Sequence, residues 1–138
     1  MKTKFELGPI GKAWVKSLRE NPERQMSSQL GEKNEDGTYK ACCLGEYALV
    51  ASEMNPSIAQ LVEWDSHGEL YCGSIEFLED AYKELGLKSY RGSLSKPLVV
   101  SDDVVYYSLA DMNDDGMSWP EIADYVEANP HNVFTKPV

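Results

Sequence analysis

The sequence predicts a mainly helical α+β fold: one domain over residues 1–138, with about five helices and a small β-hairpin or short sheet. Three observations carry this. Apolar residues recur at helical spacing near both ends, as in Ile10, Trp14 and Leu18 and again in Trp119, Ile122 and Val126. The cluster Asn34-Glu35-Asp36-Gly37 supplies a hairpin turn signal between two short segments. No internal repeat, low-complexity tract or linker interrupts the 138 residues, a length able to bury roughly two-thirds of the unfolded surface around one core.

The elements follow in order. From Pro9 the stripe Ile10, Trp14 and Leu18, with Ala13 and Val15 beside it, makes a helix that stops at Asn21-Pro22. Arg24 to Ala41 reads as a hairpin turning at Asp36-Gly37, its strand pattern diluted by Ser27, Ser28 and Gly31. Cys42 to Met54 is apolar almost throughout, too long for a strand, and closed by Asn55-Pro56, so a buried helix is expected. A short helix over Ser57 to Trp64, a turn at Asp65-Ser66-His67-Gly68 and a brief extended piece from Glu69 to Cys72 come next. Ser74 caps a further helix that carries Ile75, Phe77, Leu78, Tyr82 and Leu85 and ends at Gly86. Lys88 to Pro97 is the longest irregular stretch, followed by β-prone Leu98, Val99 and Val100; Ser101 then caps a helix from Asp102 to about Asn113. The last helix opens with a capping box, Ser118 to Glu121, with Pro120 in its first turn, and runs to Asn129-Pro130.

Charge is unevenly placed. Residues 1–40 hold eight Lys/Arg and six Asp/Glu (net +2), and residues 41–138 hold five and seventeen (net −12), which together give the −10 of the whole chain. The stretch Asp102 to Glu127 carries eight carboxylates and no basic residue, a surface that repels nucleic acid. No run of about 18 apolar residues exists to span a membrane, and the start, Met1-Lys2-Thr3-Lys4-Phe5, lacks a secretory pattern, so a cytoplasmic protein is expected. Cys42, Cys43 and Cys72 have neither Cys-x-x-Cys spacing nor a nearby His pair and read as reduced thiols.

Tyr39-Lys40-Ala41-Cys42-Cys43-Leu44-Gly45 and the run from Leu109 to Glu127, with Asn113-Asp114-Asp115-Gly116 followed by Ser118-Trp119-Pro120-Glu121-Ile122-Ala123-Asp124, resemble a family of small uncharacterised bacteriophage and prophage proteins. That family pairs these segments with a helix of the type Trp14-Val15-Lys16-Ser17-Leu18-Arg19, and nothing from Asn55 to Val100 matches it. The resemblance implies a phage accessory protein acting in the cytoplasm of a bacterial host. It brings no catalytic residue with it.

Chemistry is sparse. Asp111 to Gly116 matches the opening of an EF-hand loop, yet Ile122 stands where that loop needs a bidentate Glu, so a plain connection with Gly116 at positive φ is the stronger reading. His67 and His131 fall near turn residues, and Cys42 and Cys43 open an apolar helix with no base in evidence. No cofactor or metal is expected, and binding is favoured over catalysis. The first reading is an inhibitor of a host defence protein, presenting an acidic face of Asp111, Asp114, Asp115, Asp124 and Glu127 or the aromatics Trp64, Tyr90 and Trp119. The second is capture of a nucleotide or other phosphate-bearing signal by Arg24, Arg91 and Lys96 with Tyr39 or Tyr90 stacking on the base. An acidic mimic of DNA is the third.

Overall fold

The computed structural model describes residues 6–27, 29–72 and 79–138. Helix α1 (Pro9–Glu20) starts with proline at its first position, where a missing N–H is harmless, and buries Trp14, Val15 and Leu18 on one face. A 3-10 turn at Pro22–Arg24 leads to strands β1 (Gly31–Lys33) and β2 (Tyr39–Ala41), paired antiparallel with Gly31 opposite Ala41. Their turn uses Gly37 at φ +92°, as the Asp-Gly signal requires. The hairpin is shorter than its sequence span, for Gln25 makes only an isolated bridge to Ala41.

Helix α2 (Cys43–Met54) is buried from Cys43 through Ala48. Gly45 permits this depth: a Cβ there would sit 1.8 Å from the Leu30 carbonyl oxygen. The expected helix over Ser57 to Trp64 is corrected. Only α3 (Pro56–Ala59) is helical, and Val62–Trp64 forms β3, paired with β4 (Leu70–Cys72). β-Branched and aromatic residues facing a matching strand outweigh weak helix propensity. Helix α4 (Glu79–Glu84) ends at Gly86 with φ +72°; the expected start of that helix at Ser74 lies outside the described residues.

Two further corrections fall together. The irregular stretch to Pro97 is in fact strand from Ser93, and the helix expected from Asp102 is the tip and return strand of a hairpin, β5 (Ser93–Ser101) with β6 (Val104–Ser108). Leu98 faces Tyr106 and Val99 faces Val105, so the run Val104-Val105-Tyr106-Tyr107 wins over the capping signal at Ser101. Helix α5 (Leu109–Asp114) begins seven residues later than expected, and Ser108, not Ser101, caps it by accepting the Asp111 N–H at 3.1 Å. Helix α6 (Trp119–Ala128) has the expected capping box, and α7 (Pro130–Val133) follows. Among the described residues the fold is α+β, with seven helices and three two-stranded antiparallel sheets.

The core lies where α1, α2, α6 and α7 meet. Trp14, with no solvent exposure, stacks on Tyr47 at 4.6 Å between ring centres and meets Phe134 edge-on at 6.0 Å. Its indole N–H donates to the Cys43 carbonyl at 2.9 Å, which satisfies the polar atom such burial would otherwise strand. No helix among the described residues is long and apolar enough to cross a membrane.

Candidate functional site

The segments most conspicuous in the sequence meet inside the protein. Asn113, 2% exposed, accepts the Cys43 backbone N–H at 3.0 Å and the Trp119 indole N–H at 3.1 Å through Oδ1, and its amide donates to the Met26 carbonyl at 2.6 Å. One side chain thereby ties the start of α2, the end of α5 and the start of α6. Cys42 and Cys43 are both buried and unbridged; burial raises the Cys42 thiol to about 11 and Cys43 well above its usual value. Both are thiols, not thiolates, at neutral pH, which removes the nucleophile that a helix N-terminus would otherwise favour. The EF-hand-like segment is mostly helix: Asp111 to Asp114 belong to α5, Ile122 is fully buried, and Glu121 accepts the Ser118 hydroxyl at 2.8 Å. No group of three or more His, Cys, Asp or Glu converges among the described residues.

The residues expected to hold phosphate do not assemble. Arg24 lies over the Tyr39 ring at 4.8 Å and donates to its hydroxyl at 3.0 Å; that hydroxyl donates onward to Glu46 at 2.6 Å. Glu46 is only 1% exposed, and burial together with this carboxylate pushes the Tyr39 phenol upward. Arg24 and Tyr39 are thus the partners of a buried acid, a role invisible in the sequence because Glu46, in the first turn of α2, reads as one charge on an otherwise apolar helix. Lys96 lies on β5, where the Asn132 side chain bonds both its N–H and its carbonyl, at 2.7 and 2.9 Å. Tyr90 and Arg91 are elsewhere, in the wall of an open cleft of about 340 Å³.

The acidic residues also divide. Asp124 and Glu127 hold Arg19 of α1, at 2.8 and 3.1 Å. Asp111 pairs with Arg91 at 2.7 Å, Asp115 accepts the Tyr106 hydroxyl at 2.5 Å, and Asp114 lines the cleft. Asp124 and Glu127 stay exposed on α6 while pairing with Arg19 of α1, and the α5 carboxylates lie beside the cleft and the β5–β6 hairpin. Trp119 is fully buried and Trp64 is packed on Tyr39 at 5.7 Å, so of the three expected aromatic anchors Tyr90, at 52% exposure, is the one fully presented.

No family model matches the chain, and no curated protein or solved structure matches it. Its own geometry must therefore locate the site.

Two features adjoin at one end of the molecule. The β5–β6 hairpin presents Val99, Val100 and Tyr107 at 66%, 57% and 62% exposure, three of the five large apolar side chains most open to solvent among the described residues. Register explains two of the three: Leu98 and Tyr106 lie toward the core cluster, whereas Val99, Val105 and Tyr107 alternate to the other face, and Val100 lies in the irregularity between Val99 and Ser101. Asp102 and Asp103 form its exposed tip. At the base, the Leu109 N–H bonds the Gly92 carbonyl at 2.9 Å and the Ala110 N–H bonds the Arg91 carbonyl at 3.1 Å. These bonds join the hairpin directly to Tyr90 and Arg91 on one side of the cleft and to Ala110 and Asp114 on the other. This surface is hidden in the sequence because the cap signal at Ser101 predicts helix over Val104 to Ser108, where Tyr107 has no reason to stand out.

Proposed function

We propose that the protein acts by binding another protein through the outer face of the β5–β6 hairpin, in keeping with an inhibitor of a bacterial host protein encoded by a phage. The observation that carries this is the exposed group Val99, Val100 and Tyr107 on a hairpin. The inner face of this hairpin packs on the core through Leu94, Leu98 and Tyr106, and grouped apolar side chains left outside on a small protein mark interaction surfaces. Asp102 and Asp103 at the tip, with the α5 carboxylates at the base, frame the apolar patch with negative charge. A basic-rimmed partner is attracted by that frame, and a second copy at net −10 is repelled. Capture of a phosphate-bearing molecule is less supported, since Arg24 and Tyr39 are engaged with each other and with Glu46, away from Tyr90 and Arg91 in the cleft wall, and Arg91 is itself paired with Asp111.

A photo-crosslinking residue placed at Tyr107, in the bacterial host, is expected to give an adduct with one host protein that a probe at exposed Lys16 does not give, and added salt should weaken it. Equal adducts from both positions, or only a self-adduct, would overturn the reading.

A further inference from the structure

The cleft at the base of the hairpin has a chemistry of its own. Leu30, Leu44 and Leu70 contribute apolar lining, and Tyr71 and Tyr90 contribute aromatic rings. The charged side chains among its described lining residues are Glu69, Arg91 and Asp114. Arg91 is already matched by Asp111, which leaves the local balance of formal charge negative. The positive end of α2 reaches the wall through Cys42 and Leu44, but its donors are turned inward: the Cys43 N–H goes to Asn113 and the Gly45 N–H to the Cys42 sulfur at 3.4 Å. The cleft therefore offers an anion little, and a cation two tyrosines and carboxylate oxygens. Glu69 keeps acceptor capacity beyond the Tyr71 hydroxyl, which donates to its Oε2 at 3.0 Å.

We infer that this cleft receives a cationic side chain, arginine ahead of lysine, from the protein that docks on the hairpin. The volume, about 340 Å³, lies at the small end of ligand pockets and has room for one long side chain, while the negative balance of charge disfavours a nucleotide's phosphates. A guanidinium is planar and weakly hydrated, stacks on tyrosine and bonds carboxylates in pairs, whereas its methylene stem packs on leucine. The inference rests on the binding reading of this end of the molecule, yet its test needs no partner. A failure here with successful crosslinking at Tyr107 would remove the cleft and leave the hairpin, and the converse result would do the reverse.

The experiment is a titration of the isotope-labelled protein, followed by amide chemical shifts, with three probes: N-acetyl-arginine methylamide, its neutral isostere N-acetyl-citrulline methylamide, and adenosine monophosphate. The arginine probe is expected to shift the amides of Leu70, Tyr71, Tyr90 and Ala110 saturably and to bind at least five-fold tighter than the citrulline probe. Glu69→Gln should weaken it about three-fold while leaving the melting temperature unchanged. Equal binding of the citrulline probe would overturn the cationic assignment, tighter binding of the nucleotide would make the cleft a phosphate site, and no saturable shift with any probe would mean that it is not a site.

Discussion

The start of α2 and the outer face of the β5–β6 hairpin are built from residues of similar polarity and treated in opposite ways. At the start of α2, Cys42, Cys43, Leu44 and Gly45 are buried, and the backbone around them is tied to Asn113, Trp14 and Leu30. On the hairpin, Val99, Val100 and Tyr107 are left to solvent. A fold of this size has enough core in its helices to do without these three side chains. Retaining them outside is a feature that stability does not require. The lesson is that the conspicuous motifs of this chain are structural, whereas the surface proposed for recognition consists of residues with no motif at all.

That contrast can be broken most forcefully at Asn113. Asn113→Ala strands the Cys43 N–H, the Trp119 indole N–H and the Met26 carbonyl in a buried site. A destabilisation of about 3–5 kcal/mol is expected, a large part of the total, and urea unfolding checks it. A loss below about 1 kcal/mol would mean that the motif residues are not structural and would reopen a functional role for them.

A much smaller effect is expected where acidic residues pack exposed surface. The Arg19 guanidinium holds Glu127 below the usual glutamate range. A carboxyl lowered in the folded state stabilises fully above its unfolded pKa and loses that contribution as pH falls through the lowered value. Arg19→Ala should therefore cost less than about 1 kcal/mol at neutral pH and nothing in strong acid, because the pair is exposed and screened. Parallel stability curves of the two proteins against pH check this. A difference that grows on acidification would contradict it.

Helices were legible wherever caps and stripes agreed. Pro9 with the Ile10-Trp14-Leu18 stripe, and Ser118 with Glu121, gave α1 and α6 almost to the residue, and Asp36-Gly37 located the first hairpin. The hairpin β5–β6 was not legible, for two physical reasons. Ser101-Asp102-Asp103 is as good an N-cap as it is a turn, and the bond pair from Asn132 that anchors Lys96 joins residues far apart in sequence. The site was hidden by the same error. Tyr90 and Arg91, expected to bind a ligand, and Asp114, expected on an acidic face, share one cleft wall, but Arg24, Tyr39, Asp124 and Glu127 have structural partners that only the fold brings near.

The central claim is that the hairpin face is dispensable for folding and required for binding. Its most direct test is the double variant Val99→Ser, Tyr107→Ser, compared with the wild type for melting temperature and for affinity toward the partner captured by crosslinking. Because both side chains are exposed, the melting point should move by no more than about 3 °C, while affinity should fall at least about 30-fold. A variant that melts far lower, or one that binds as tightly as the wild type, would contradict the account.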